Sequence, residues 1–323
     1  MMADRPAPER DVSVDLARRL LGDQFPHLVE QPLRELSRGW DNTILRLGDD
    51  LLMRIPHREP AASLIDHEQR WLPDIAARTT LHVPAPIHHG KSTRYFPWPW
   101  SITPWFEGSE AATRAYDAEG AARKLGKFFS ELHVPNEHLP HEHLPHEHLP
   151  HEHLPNESRD VPQNPYRGGS LRDRADAFVA NLEHLEAGEG AGAGVDQLRE
   201  VFETAMNVPR DGADVWLHGD LHLRNMLVHD GALTAIIDWG DITVGDRATD
   251  FAVAWSLVPD HVDLVRQLAG GTDAAWERSR GWAAHFAVMY LVHSDDDPVM
   301  RRIGEQLRMV LSPREGDARK VPS

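Results

Sequence analysis

No other stretch constrains this chain as much as Val215–Trp255, VWLHGDLHLRNMLVHDGALTAIIDWGDITVGDRATDFAVAW. Apolar runs bounded by turn residues read as short buried strands. Three occur here: Val215–Leu217, Met226–Val228 and Leu233–Ile237. The first runs into a polar knot, His218-Gly219-Asp220-Leu221-His222-Leu223-Arg224-Asn225. Asp230-Gly231 forms a turn between the other two, and the last strand delivers Asp238-Trp239-Gly240. Asp220, Asn225 and Asp238 are thereby presented at strand ends. Two carboxylates and an amide make a hard oxygen set suited to Mg²⁺, with a base for a hydroxyl. A rival reading takes His218, Asp220 and His222 as metal ligands at alternating strand positions, but no matching downstream set with zinc-like spacing accompanies them.

Asp and Asn beside Gly are ordinarily turn formers. The distinguishing feature is that HGDLHxxN, IIDWGD and GDxxxD follow one another in a single short stretch. This order resembles the core of the kinase-like superfamily, in which a His-x-Asp-x-x-x-x-Asn loop precedes an Asp-x-Gly metal motif. Gly219 after the His and Trp239 before Gly240 make it similar to the aminoglycoside phosphotransferase family of small-molecule kinases rather than to protein kinases. The resemblance implies a bilobal α+β protein-kinase-like fold, with a small antiparallel-sheet N-lobe (1–103), a hinge (104–108) and a mainly helical C-lobe (109–323). It implies Asp220 as the residue that orients the acceptor hydroxyl and accepts its proton. Asn225 and Asp238 would be the Mg²⁺ ligands, and Asp250 would brace the catalytic loop.

Upstream, Asp11–Phe25 shows the four-residue spacing of an amphipathic helix, with Val12, Leu16 and Leu20 on one side. Residues 31–56 read as three strands with turns near Ser37-Arg38-Gly39 and Gly48-Asp49-Asp50. The glycine-rich loop of protein kinases is absent, so Ser37–Asn42 is either a less glycine-rich phosphate loop or a plain hairpin turn. A cation on the third strand normally grips the α- and β-phosphates. The first lysine of the chain is Lys91, so Arg54 takes that place; Arg can hold phosphate bidentately. A helix over 60–78, expected to break near Pro73, carries Glu68, which the resemblance implies as the ion-pair partner of Arg54. The aromatic segment 97–108 contains the hinge candidates Thr103, Trp105 and Glu107, placed by the resemblance against the purine.

Downstream, Ala118–His133 reads as a core helix carrying Leu125, Phe128, Phe129 and Leu132. Residues 136–155 are a tandem repeat, NEHLP-HEHLP-HEHLP-HEHLP, in which Pro at every fifth position blocks a continuous helix. It holds seven of the 21 histidines, so it is either a soft-metal binder or an inert surface insertion. Asn164–Gly169 reads as a turn, Gly188–Gly194 as a loop and 312–323 as a tail. Helices are expected at 170–186, 195–206, 251–257, 260–268, 276–292 and 300–311. Asp295-Asp296-Asp297 could hold acceptor amines or simply cap the next turn.

With 323 residues, 41% hydrophobic and 26% charged, the chain can bury a sizeable core. A net charge of −17 argues against nucleic acid, which needs a basic footprint, and suits a cationic acceptor through its field. No Cys is present, excluding thiolate chemistry. No apolar leader or membrane-length run is visible, so a cytoplasmic monomer or dimer is expected. The expected activity is transfer of the γ-phosphate of ATP or GTP to a hydroxyl of a small molecule. An aminoglycoside-type or macrolide antibiotic comes first, as in antibiotic resistance. Carboxylates in the pocket would favour the former, and an apolar wall of Phe251, Trp255 and Phe286 the latter. The alternatives are a metabolite kinase (choline, homoserine, thiosugar or fructosamine type), a non-catalytic nucleotide-binding pseudokinase, and a metal-buffering protein built on the repeat.

Overall fold

The computed structural model describes residues 7–135, 161–187, 194–294 and 296–312. The 136–155 repeat, Asp295, the tail from 313 onward and nearly all of the 188–194 loop lie outside the described residues. The described residues fall into two compact units. One comprises the chain before Ser109 together with Ala235–Asp241, and the other the remainder from Ser109 onward.

The first unit is built on a five-stranded sheet of order β1-β2-β3-β5-β4: β1 Leu33–Arg38, β2 Asn42–Leu47, β3 Leu51–Pro56, β4 His88–Gly90 and β5 Trp100–Pro104. All its pairings are antiparallel. Strict alternation along β2 buries Thr43, Leu45 and Leu47, as the period-2 geometry of a strand requires. On one face Leu45, Leu47, Met53, Ile55 and Ile102 pack with Ala17, Leu20 and Leu21 of α1 (Val14–Gln24). That helix starts three residues later than periodicity alone places it, because the Ser13 Oγ accepts from the Leu16 amide at 3.2 Å and caps the first turn. Helix α2 runs unbroken from Glu59 to Arg78 with Pro73 inside it, contrary to the expected break. Its buried face, Ile65, Glu68, Leu72 and Ile75, continues across the proline, and Pro73 itself faces solvent. Packing on both sides holds the helix through the one lost hydrogen bond.

The second unit opens with a short strand β6 (Ser109–Glu110) on the β8–β9 hairpin (Met226–His229, Ala232–Ile236). The Asp230-Gly231 turn has positive φ at both residues, 48° and 75°, the two-residue geometry that matches strand twist. The last two residues of β9 count with the first unit. Strand β7 (Val215–Leu217) pairs antiparallel with β10 (Thr243–Gly245). The rest is helical: α3 (Ala118–Leu132), α4 (Ala175–Ala187), α5 (Val195–Met206), α6 (Ala248–Phe251), α7 (Ala254–Leu257), α8 (Val262–Ala269), α9 (Asp273–His293) and α10 (Pro298–Leu311). Helix α9 is buried on nearly every side, with Trp282, Ala283, Phe286 and Ala287 in its middle turns. The expected 170–186 helix opens as a single 3₁₀ turn, Leu171–Arg174, before α4 begins. The expected 251–257 helix is two one-turn pieces joined by i→i−3 bonds such as Val253 N to Asp250 O at 3.2 Å. Among the described residues no helix is long and apolar enough to cross a membrane.

Candidate active site

In the second unit, β7 is fully buried and runs directly into His218, itself 0% exposed. The turn that follows is held from beneath by Asp250. Its Oδ2 accepts from the His218 amide at 2.9 Å, and its Oδ1 accepts from the Gly219 amide at 3.0 Å. His133 Nε2 lies 3.1 Å from the same carboxylate. Burial pushes the His133 imidazole below its ordinary value, against the opposing pull of Asp250. Gly219 has φ +89°, a conformation in which a side chain would be strained. The loop is then cross-tied. The Asp220 amide donates to His218 Nδ1 (3.3 Å), and Asn225 Nδ2 donates to the Asp220 carbonyl (3.0 Å). These bonds satisfy buried backbone groups and leave the Asp220 carboxylate at the loop's surface, its side chain 26% exposed.

Two basic side chains lie beside that carboxylate. Arg167 Nη2 is 2.7 Å from Oδ1 and His222 Nε2 is 3.5 Å from Oδ2. Burial works to raise the Asp220 pKa. The His222 hydrogen bond and the charges of His222, Arg167 and His218 outweigh it and hold the group well below the usual carboxylate range. Asp220 is therefore ionised at neutral pH and is a weak base. It suits a role in orienting a hydroxyl more than one in early deprotonation. Arg167 is a functional-site residue that the sequence does not mark, because Asn164–Gly169 has the composition of a plain turn. The adjacent Gly168-Gly169 pair was its only local signal.

In the first unit, Arg54 lies on β3 with its side chain 11% exposed, and its Nη2 reaches Glu68 Oε1 on α2 at 2.7 Å. Asp238 Oδ1 is 3.7 Å from the same nitrogen. The expected ion pair is formed, and a second carboxylate stands beside it. Burial pushes the Glu68 carboxyl up to about 7, against Arg54 and with Asp238. Asp238 adopts φ +61° with its side chain 64% exposed, while Trp239 is fully buried and donates from Nε1 to the Ile236 carbonyl at 3.0 Å. The indole anchors the turn and the strained backbone turns the Asp outward.

The other candidates separate. Ser37 is exposed on β1, one residue past a bulge. Thr103 on β5 is 1% exposed, and its hydroxyl has no hydrogen-bond partner. The Trp105 amide donates to the Asp50 carbonyl (2.7 Å), its indole donates to Glu107 (2.5 Å), and Arg46 lies 3.9 Å over the ring. The side chains of Trp105 and Glu107 are thus engaged with Arg46. The expected apolar wall does not exist as such: Phe251 is a core residue, 0% exposed and stacked on Trp276 at 4.1 Å. Trp255 is half-buried and donates to Ser279 Oγ at 3.0 Å. Phe286 alone of the three reaches the Asp220 surroundings, under Arg167. Asp297 is the cap: its Oδ1 accepts from the Val299 and Met300 amides (both 3.1 Å), and its Oδ2 pairs with Arg224. Among the described residues no cluster of three or more His, Asp or Glu is placed to hold a metal ion, so the His218, Asp220, His222 metal alternative has no geometry behind it.

A small antiparallel sheet carrying an Arg–Glu pair, and a helical unit carrying a braced His-Gly-Asp loop, define the kinase-like class of phosphotransfer folds. The model of the phosphotransferase enzyme family (APH) matches residues 32–284, and the chain belongs to that family. Solved structures share the fold at low identity. The GDP and kanamycin complex of an APH(2″) enzyme matches with TM-score 0.62 and 20% identity, over 91% of this chain and 97% of that one. The macrolide 2′-phosphotransferase MphH from Brachybacterium faecium matches with TM-score 0.56 and 22% identity, over 94% and 98%. The streptomycin–ATP–APH(2″)-IIa ternary complex matches with TM-score 0.55 and 16% identity, over 91% and 95%. No curated protein matches the chain. Family and fold together support a kinase-type enzyme acting on a small molecule.

Proposed function

We propose that this protein transfers the γ-phosphate of ATP or GTP to a hydroxyl of a small molecule, with Asp220 presenting that hydroxyl. The observation that carries the reading is the Asp220 loop: an ionised, surface-facing carboxylate whose backbone is tied by Asp250 on one side and Asn225 on the other. A fixed carboxylate that accepts a hydrogen bond from a hydroxyl aligns its lone pair for in-line attack, and in a loose transition state such positioning does most of the work. Arg54, held by Glu68, supplies a permanent positive charge for the non-transferred phosphates.

Each of the two Mg²⁺ candidates, taken by itself, has an oxygen for a cation. Asn225 commits its Nδ2 to the loop, leaving the oxygen end of the amide, and Asp238 presents an exposed carboxylate. Mg²⁺ keeps several waters and needs only one or two protein oxygens beside the phosphates. When bound, the ion neutralises charge on the β- and γ-phosphates.

Antibiotic-type acceptors, aminoglycoside or macrolide, are the first to test, with amino-alcohol and sugar metabolites next. The test is nucleotide turnover with Mg²⁺, with ATP and GTP supplied separately against such a panel. Acceptor-dependent release of ADP or GDP is expected. Asp220→Asn is expected to lower kcat by about 10³-fold or more with nucleotide affinity retained. Full activity in that variant would remove Asp220 from the role. Nucleotide binding without turnover on any acceptor would favour the non-catalytic alternative, and no nucleotide binding at all would end the phosphotransfer reading.

A further inference from the structure

Arg167 is placed too firmly to be an incidental surface cation. The Asn164 amide donates to Thr243 Oγ1 on β10 (3.0 Å), and Asn164 Oδ1 accepts from the Tyr166 amide (2.8 Å). On its other side, the Gly168 amide donates to Thr249 Oγ1 (3.2 Å), and the Gly168 carbonyl accepts from the Asp246 amide (2.8 Å). Gly168 has φ +71° and lies against Gly245, where an added Cβ would come within 2.4 Å of the Gly168 carbonyl oxygen. Two glycines pressed together lock the backbone onto β10 and the start of α6. The side chain, 15% exposed, crosses the face of Phe286, with its guanidinium carbon 5.2 Å from the ring centroid, and ends on Asp220.

Two titratable rings close to this pair add no charge to it. His285 is pushed down to about 3 by burial and by Arg167 and Arg174, so its imidazole is neutral. Tyr290 is pushed up by burial and by Asp220, so its phenol is neutral too. We propose that Arg167 is a specificity-determining residue. Its guanidinium meets the charge of Asp220, so the acceptor hydroxyl that docks there is flanked by oxygen acceptors, as in a polyol or hydroxy-carbonyl compound, and not by an ammonium group. A guanidinium only donates hydrogen bonds, so it attracts such oxygens and repels a second cation at close range. The inference rests on the phosphotransfer reading for Asp220 and narrows its acceptor class.

The test uses binding, so that it does not depend on turnover. Kanamycin, a polyamine, and its per-N-acetylated form are titrated calorimetrically into the full chain as wild type, Arg167→Gln and Arg167→Lys, at 0.15 M salt. Kanamycin is expected to bind Arg167→Gln about tenfold or more tighter than wild type, as removal of one partly screened unit charge implies. Arg167→Lys, which keeps the charge, is expected to stay within about threefold of wild type, and the acetylated probe is expected to show no such gain. Unchanged or weaker kanamycin binding in Arg167→Gln, including none in either protein, overturns the proposal, as does an equal gain in Arg167→Lys. If Arg167→Gln melts well below wild type, the salt dependence of kanamycin binding to the wild type, set against that of Asp220→Asn, decides. Affinity for kanamycin rising as salt is lowered, more steeply than for Asp220→Asn, would show an attractive Asp220 and overturn it. A dependence no steeper than that of Asp220→Asn is the expected result, because the net charge of −17 acts on both proteins alike. Absence of phosphate transfer to every acceptor would count against the phosphotransfer reading and leave this comparison intact.

Discussion

Glu68 has an acid–base behaviour opposite to that of Asp220, although both are carboxylates facing an arginine. Burial works to raise both. At Asp220 the His222 hydrogen bond and the charges of His222, Arg167 and His218 outweigh it, whereas at Glu68 only Arg54 opposes it and Asp238 adds to it. Burial raises Glu68 from 4.5 to about 7. A carboxyl that holds its proton more tightly folded than unfolded contributes stability in full below the unfolded value of 4.5, and loses it as pH rises through about 7. Relative to Glu68→Gln, which cannot ionise, wild-type unfolding free energy is therefore expected to fall on the order of 3 kcal/mol between pH 4.5 and 8. Urea titrations of both proteins at several pH values measure this difference. A difference that stays flat or grows with pH would mean that the Arg54 ion pair outweighs the burial of Glu68.

At the scale of elements, Pro73 marks where local rules gave way to packing. Its ring nitrogen cannot donate to the Gln69 carbonyl, yet α2 continues because Ile65, Glu68, Leu72 and Ile75 are buried along one unbroken face. The Gln69 side chain is itself tied to β5, with Nε2 donating to the Trp100 carbonyl (2.9 Å) and Ser101 Oγ (3.0 Å). Since Pro73 is exposed, Pro73→Ala is expected to raise stability by about 1–2 kcal/mol. It restores a helix bond that outweighs the unfolded-state restriction lost with the proline. Chemical denaturation measures it, and destabilisation would show that the buried face needs a proline bend. The same contrast explains what the sequence could tell. The β8–β9 hairpin was legible because Asp230-Gly231 dictates its own turn, and the Arg54–Glu68 pair only through the resemblance, which pairs a strand cation with a helix Glu. Arg167 was not legible: it meets Asp220, 53 residues away, only through the Gly168–Gly245 contact, and no local pattern records that approach. Nor was the grouping of Ala235–Asp241 with the first unit, because those residues continue a strand begun in the second.

At the scale of the whole molecule, the open issue is whether the histidine-rich repeat matters to the chemistry, and its flanks allow a geometric answer. Pro135 forms an antiparallel bridge with Val215 on β7, and the Trp216 amide donates to the Val134 carbonyl (3.2 Å). The Pro162 carbonyl accepts from the Val244 amide on β10 (3.3 Å) and from Thr243 Oγ1 (3.2 Å). Because β7 and β10 are neighbours, the two flanks sit on opposite edges of one small sheet, three strand spacings or about 14 Å apart. Deleting 137–155 leaves residues 136 and 156–160 as the link, and six residues extend to about 20 Å. The ends can therefore be rejoined without pulling either flank from β7 or β10, and the Asp220 loop that follows β7 keeps its supports. The deletion is expected to leave kcat/KM for nucleotide and acceptor within about twofold of the full chain. It also removes seven histidines from the tract, and with them whatever Ni²⁺ or Zn²⁺ the tract takes up. Steady-state kinetics on the deleted and intact proteins, with metal titrations alongside, separate the two roles. A tenfold loss of kcat/KM at unchanged melting temperature would tie the repeat to phosphotransfer. Unchanged kinetics with lost metal uptake would leave it a separate metal-binding insertion on a working kinase-like frame.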